Sequence, residues 1–202
     1  MIEFKGNDNN NYIGTINNKE LKGLLFEHEI KEQLNKEINI NKKILTNVCI
    51  YDFNTDKDTE IDLILITYGG VYVIESKNWD GYIVGKLSDK KWTQKFYKKV
   101  KGNTYPNPIR QNEYHIDFLS KYLSRDKSIF KSYIVFPSNA NINRVSEFNK
   151  SNVKVLKIDD LINTIINDLK CDNSMILTYE EMDQMYIKLD NIDINEIELK
   201  KE

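Results

Sequence analysis

Apolar and polar positions alternate along the chain with two periods, and these divide it into helices and strands. Phe26, Ile30 and Leu34 recur every fourth residue, which predicts a helix from Lys19 to about Ile38. Residues 44–53 read as a strand, followed by a polar turn over 54–59. Two runs dense in β-branched residues, 60–67 and 70–77, meet at Tyr68-Gly69 and predict a hairpin at the centre of a sheet. A shorter strand is expected over 82–86. Residues 103–108 read as a loop, with Pro108 in the first turn of a helix running to about Leu123. Strands follow at 132–137 and 153–158. Asp159 or Asp160 can then cap a helix carrying Leu161, Ile162, Ile165, Ile166 and Leu169. Thr178 and Glu181 form a capping box for a last helix through Leu189. Residues 1–18 are aperiodic and Asn-rich, a loose arm. This order of elements predicts an α/β or α+β sandwich around a central sheet.

Composition narrows the class. At 202 residues, with 40% hydrophobic and 30% charged residues, the chain can bury a sizeable core. No apolar run approaches the ~20 residues of a membrane span, and the N-terminus lacks a signal-peptide layout. Cys49 and Cys171 are far apart and in no metal-binding spacing, which excludes a disulfide scaffold or zinc finger and suits a reducing cytoplasm. No glycine-rich strand-to-helix junction carries GK[ST], so a nucleotide hydrolase is not expected. His28 and His115 read as ordinary helix histidines, although His115 lies one turn after Gln111.

The net charge of −2 hides an asymmetry. From Asp159 onward there are 12 acidic residues and 4 lysines, a net of −8; residues 1–158 carry a net of +6. Lys86, Lys90, Lys91, Lys95, Lys98, Lys99 and Lys101 crowd one stretch, with Trp92, Phe96 and Tyr97 among them and Asp89 as the opposing acid. Lysines neutralise phosphates and aromatic faces stack on bases, so this segment, with Arg110 beyond it, is a candidate nucleic-acid footprint. The alternative is a solvated, lysine-rich surface loop.

The hairpin carries the candidate chemistry. Glu75 and Lys77 interrupt the second apolar run and share a face with Val71 and Val73. Asp62 interrupts the first run. With Tyr68-Gly69 as a two-residue loop, Thr67 opposes Gly70 and Asp62 falls opposite Glu75, about 5 Å away, where like charges repel. Such a pair can share a proton, pair with Lys77 or bind a cation. Oxygen donors at this spacing suit Mg²⁺ or Mn²⁺. The bland alternative is a structural salt bridge between Asp62 and Lys77.

These residues carry a resemblance. Asp62 followed by Glu75-x-Lys77 resembles the bipartite signature of the PD-(D/E)xK nuclease superfamily, and within it the chain is similar to the NERD (nuclease-related) domains. Gly23-Leu-Leu-Phe-Glu27 resembles their G-x-x-G-E helix motif, with Phe26 in place of the second glycine. Glu60-Ile-Asp62, Val73-Ile-Glu-Ser-Lys-Asn78 with Gly81, Trp92, and Asn107-Pro-Ile-Arg-Gln111 match further family segments. The resemblance covers roughly residues 20–125. It implies a restriction-endonuclease-like three-layer core with a central mixed sheet flanked by helices, plus C-terminal helices. It also implies Asp62, Glu75, the Ser76 carbonyl and Glu27 as metal ligands, Lys77 as the catalytic lysine, and Gln111 approaching the same centre.

The sequence therefore predicts an arm over 1–18, a nuclease-like domain over 19–158, and acidic helices over 159–202 packed on that domain. The expected activity is Mg²⁺- or Mn²⁺-dependent hydrolysis of phosphodiesters, in DNA rather than RNA on the strength of the resemblance. The rival is a catalytically silent nuclease-fold module that binds DNA or a protein partner. The acidic C-terminus is a candidate surface for a protein partner.

Overall fold

In the computed structural model, residues 17–52, 56–96, 101–146, 152–171 and 175–191 are described. The elements in order are α1 (Asn18–Glu37), β1 (Lys43–Asp52), β2 (Lys57–Thr67), β3 (Gly70–Ser76), β4 (Gly81–Lys86), β5 (Lys91–Lys95) and β6 (Asn103–Pro106). They continue with α2 (Pro108–Leu123), a 3-10 turn at Lys127–Ile129, β7 (Phe130–Phe136), β8 (Ala140–Ser146), β9 (Val153–Lys157), α3 (Ile158–Cys171) and α4 (Tyr179–Asp190).

The most apolar strands form one mixed sheet in the order β1-β2-β3-β7-β9. β1, β2 and β3 pair antiparallel, whereas β3–β7 and β7–β9 pair parallel. Every residue of β3 and β7 is buried, as strands covered on both faces require. On one face Phe26, Ile30 and Leu34 of α1 and Leu161, Ile165 and Leu169 of α3 pack against Leu63, Leu65, Tyr72 and Ile74. On the other, Ile116, Leu119 and Leu123 of α2 and Met182, Met185 and Leu189 of α4 pack against Ile64, Ile66, Val71 and Val73. Each such fully buried side chain contributes about 1.5–3 kcal/mol before entropy is counted. This is the expected three-layer α/β arrangement, and the C-terminal helices help close both faces.

Local signals explain the helix ends. Asn17 accepts from the amides of Lys19 and Glu20, and Glu20 returns the bond, a capping box that starts α1. Thr178 and Glu181 do the same for α4. Asn107 caps α2 with Pro108 in its first turn. α3 begins at Ile158, so Asp159 and Asp160 lie in its first turn instead of capping it.

The hairpin adopts the expected register, with Thr67 opposite Gly70 and Leu63 opposite Ile74. Gly70 has φ +114, and a Cβ there would come within 2.5 Å of the Ile129 carbonyl, so a side chain is excluded on both counts. One irregularity has no signal in the sequence pattern. Asn47 is left-handed (φ 53) and sits between the ladder pairs Thr46–Leu63 and Val48–Ile61. Leu45 and Val48, three residues apart, face the same core cluster, as do Ile61 and Ile64. The face alternation therefore slips by one residue at Asn47 and Asp62.

A second sheet, in the order β6-β5-β4-β8, departs from the elements expected from sequence. Within the lysine-rich stretch, residues 91–95 form strand β5 instead of a surface loop, with Trp92 and Gln94 inward and Lys91 and Lys95 outward. Residues 103–106 form a strand instead of a loop, and β8 occupies a stretch where no strand is expected. The inner side of this sheet places Ile83 and Trp92, joined by Trp79 of the β3–β4 connection, against Ile134, Phe136 and Val155 of the central sheet. Asn107 ties it to α2: its Oδ1 accepts from Ile109 N at 2.9 Å, and its Nδ2 donates to the carbonyls of Lys86, Leu87 and Asp89 at 2.8–3.2 Å. Asn107→Ala removes the cap of α2 and the side-chain donor that ties it to the Lys86, Leu87 and Asp89 carbonyls. It should destabilise the protein by about 2–4 kcal/mol in urea titrations, with the slope unchanged. A destabilisation below about 0.5 kcal/mol would contradict this role.

Candidate active site

At the C-terminal end of β3 the apolar face gives way to charge. Glu75 is buried, with 1% of its surface exposed, between β3 and α2. Its Oε1 accepts from the Lys77 ammonium, and its Oε2 lies 3.0 Å from His115 Nε2. His115 Nδ1 lies 2.5 Å from Thr59 Oγ1, so the imidazole bridges β2 and β3. Burial pushes the Glu75 pKa up, but the His115 hydrogen bond and the Lys77 ammonium outweigh it, and the carboxyl ends below its ordinary value. Lys77 is itself fixed through its backbone, whose N–H donates to the Val135 carbonyl at 2.9 Å.

Asp62 lies one step beyond the last β2–β3 pair, at the slip in alternation. Its Oδ2 accepts from Ser76 N at 2.7 Å. Ser76 Oγ donates in turn to Glu27 Oε1 of α1 at 3.3 Å. Burial, and next the neighbouring Glu75 charge, push the Asp62 pKa up to about 7, against a weaker opposing pull from Lys77. Burial also raises the Glu27 pKa, reinforced by Glu60 and Glu75. Three carboxylates thus converge on the end of one strand beside one ammonium, and two of them, Asp62 and Glu27, sit in surroundings that resist their charge. Among the described residues no three Asp, Glu, His or Cys side chains are close enough for a preformed metal cage.

Other candidates fall differently. Gln111 begins α2 as expected, but its side chain makes no polar contact with the trio among the described residues. The residue of α2 that reaches Glu75 is His115, one turn on, which by its sequence context reads as an ordinary helix histidine; its four-residue spacing from Gln111 is the available signal. Asn112, fully buried, binds the Val73 carbonyl at 2.8 Å and Ser132 Oγ at 2.9 Å, pinning α2 to β3 and β7. Trp92 cannot stack on a base: it is 0% exposed, lies parallel to Phe136 and donates Nε1 to the Lys86 carbonyl at 3.0 Å. Lys86, Lys90, Lys91, Lys95 and Lys101 are exposed. Exposed Arg110 donates to the Ser88 carbonyl at 2.7 Å, bracing the turn before β5. Lys98 and Lys99, like residues 1–16 of the arm and the end of the acidic tail, lie outside the described residues.

Residues 22–137, more than half of the chain, match the nuclease-related domain family. The chain belongs to that family. An uncharacterized protein of Bacillus anthracis is 30% identical over 183 residues, which is 89% of this chain and 81% of that protein. Among solved structures, Pyrococcus furiosus SfsA in complex with Ca²⁺ aligns over 83% of this chain with 17% identity and a TM-score of 0.28. The chain spans about half (54%) of that protein's length, and the likeness is too loose to place any residue. The nuclease-related domain contains Glu27, Asp62, Glu75, Lys77 and His115, whereas β8, β9, α3 and α4 lie beyond the matched span.

Asp62 has a testable energetic signature. Its pKa rises from 3.8 to about 7 on folding, so the folded protein keeps a proton that the unfolded chain releases. The stability this supplies is complete below pH 3.8 and is lost as pH rises through 7. Asp62→Asn keeps an acceptor for Ser76 N–H without the charge. In chelator-containing buffer it should match the parent near pH 4 and exceed it by about 1–3 kcal/mol at pH 8 in urea titrations. Equal stability at pH 8 would contradict this electrostatic account.

Proposed function

We propose that this chain is a metal-dependent phosphodiester hydrolase, a nuclease, acting on DNA. The observation that carries the reading is the convergence of Asp62, Glu75 and Lys77 at the end of a buried hairpin, with more carboxylate than the local cations balance. The donor set tests the fit of a metal. Asp62, Glu75 and the Ser76 carbonyl are hard oxygen donors, and their scarcity suits Mg²⁺ or Mn²⁺, which bind through one or two carboxylates and keep several waters. Glu27, tied to Ser76 Oγ, would orient that corner or join it. When bound, such an ion supplies Lewis-acid polarisation of the phosphate and a water of lowered pKa.

The chain's own residues do the rest. The Lys77 ammonium stands where it can orient a water and offset charge growing on the phosphoryl oxygens. His115 is a positioning residue: held by Thr59 on one nitrogen, it fixes the carboxylate plane of Glu75 with the other. The exposed lysines at 86–101 hold backbone phosphates. The rival, a silent module that binds DNA or a protein, has one observation in its favour: Lys77 and Glu75 already form an ion pair that could serve stability alone.

Purified protein with Mg²⁺ or Mn²⁺ should cut single-stranded, duplex or branched DNA, with RNA run beside it. Asp62→Ala, Glu75→Gln and Lys77→Ala should each lower kcat/KM by at least about 10³-fold while the fold is kept. His115→Ala should cost about 10–100-fold together with weaker Mn²⁺ affinity. A protein that cuts none of these substrates, or an Asp62, Glu75 or Lys77 variant of full activity, would overturn the reading.

A further inference from the structure

The outward side of the second sheet is not accounted for by the core it covers. Alternation along β4 turns Tyr82, Val84 and Lys86 outward, and along β5 Lys91, Thr93 and Lys95. Tyr82 lies opposite Lys95 and Val84 opposite Thr93, so the two sets share one face. Thr104 of β6 pairs with Thr93 and extends the central row. On the other edge, exposed Arg144 of β8 pairs with Val84, while its neighbour Val145 turns inward. The result is a four-stranded face with Val84, Thr93 and Thr104 in its middle, Tyr82, 36% exposed, at one end, and cations on both flanks.

The charge on this face has one sign. Among the described residues no Asp or Glu lies on it. Of the flanking acids, Asp89 accepts from Lys86 N at 2.9 Å and Asp80 from Gln94 Nε2 at 3.0 Å, so both carboxylates are tied to their own turns. A duplex keeps its base faces stacked inside and offers phosphates and groove edges, which leave an exposed ring on a sheet face nothing to stack on. A single strand presents both phosphates and base faces, which match flanking cations and an aromatic on a flat sheet. Tyr82 follows Lys77 by five residues, a reach of at most about 18 Å.

We infer that the outer face of β4, β5, β6 and β8 is a binding platform for single-stranded DNA that leads toward the Asp62–Glu75–Lys77 centre. Its delivery role rests on the hydrolase reading, but binding itself needs no metal.

The test is fluorescence anisotropy of a labelled oligothymidylate with the full chain in EDTA, beside a duplex and an oligouridylate of equal length. Single-stranded DNA should bind at least about 10-fold tighter than the duplex. Lys95→Ala and Arg144→Ala should each weaken binding about 3–10-fold and flatten its salt dependence, by roughly 0.7 in slope for each phosphate left without its cation. Tyr82→Ala should weaken it about 5-fold or more at an unchanged salt slope, as loss of stacking does. Wild-type affinity in all three variants, equal duplex binding, or tighter RNA binding would overturn the platform. The two proposals fail separately. Platform variants that bind weakly while the parent binds but never cuts would sink only the hydrolase, and a Lys86/Lys95/Arg144 triple alanine variant that cuts single strands at the parent kcat/KM would sink the platform's delivery role and leave the Asp62–Glu75–Lys77 centre standing.

Discussion

With Thr67 opposite Gly70, the two-residue turn at Tyr68-Gly69 fixes the ladder of the β2–β3 hairpin, and Asp62, Glu75 and Lys77 take their places from that ladder. A slip of β3 by one residue would exchange its two faces, sending Glu75 toward α1 and Ile74 toward α2. Two constraints prevent it. Gly70 occupies a backbone region closed to other residues, pressed against the Ile129 carbonyl. The residues on either side of the register belong to different core clusters, so a slip would bury charge in one and expose apolar surface of the other. Continuous pairing of β3 with β7 as far as Ser76 then holds the strand end where Lys77 leaves it.

The centre is electrostatically uneven by construction. Glu75 is deeply buried but receives Lys77 and His115, which together keep it ionised. Asp62 receives one amide and faces the Glu75 charge, so its anionic form is disfavoured. Arranging one satisfied carboxylate and one frustrated carboxylate side by side gives no advantage to a purely structural corner, where an apolar pair would be neutral or better. It does suit a corner that accepts a cation. The slip in alternation at Asn47 and Asp62 serves the same end: it takes Asp62 off both packed faces and lets it reach Ser76 N–H beyond the ladder.

Much of this is legible in the sequence because it is written in local alternation. The hairpin, its register, the shared face of Val71, Val73, Glu75 and Lys77, and the capped start of α2 each follow from residues a few positions apart. What stays hidden depends on distant partners or on weak patterns. β5, Lys-Trp-Thr-Gln-Lys, alternates as a strand should, but five residues flanked by lysines read equally well as a loop, which would leave Trp92 on the surface. β8 carries Asn141, Asn143 and Arg144, with no apolar run to announce it. His115 is one polar residue on a helix whose partner, Glu75, lies 40 positions earlier. Asn47 adopts a left-handed conformation that Asn tolerates but does not advertise.

If Asp62 and Glu75 form a cation site, it should be visible without any substrate. Isothermal titration calorimetry of the full chain with Mn²⁺ is the most direct measurement. The account predicts a saturable heat for one ion in the parent protein, abolished in Asp62→Ala and Glu75→Gln variants that retain the far-ultraviolet circular dichroism of the parent. No heat in the parent, or the same heat in those variants, would contradict it.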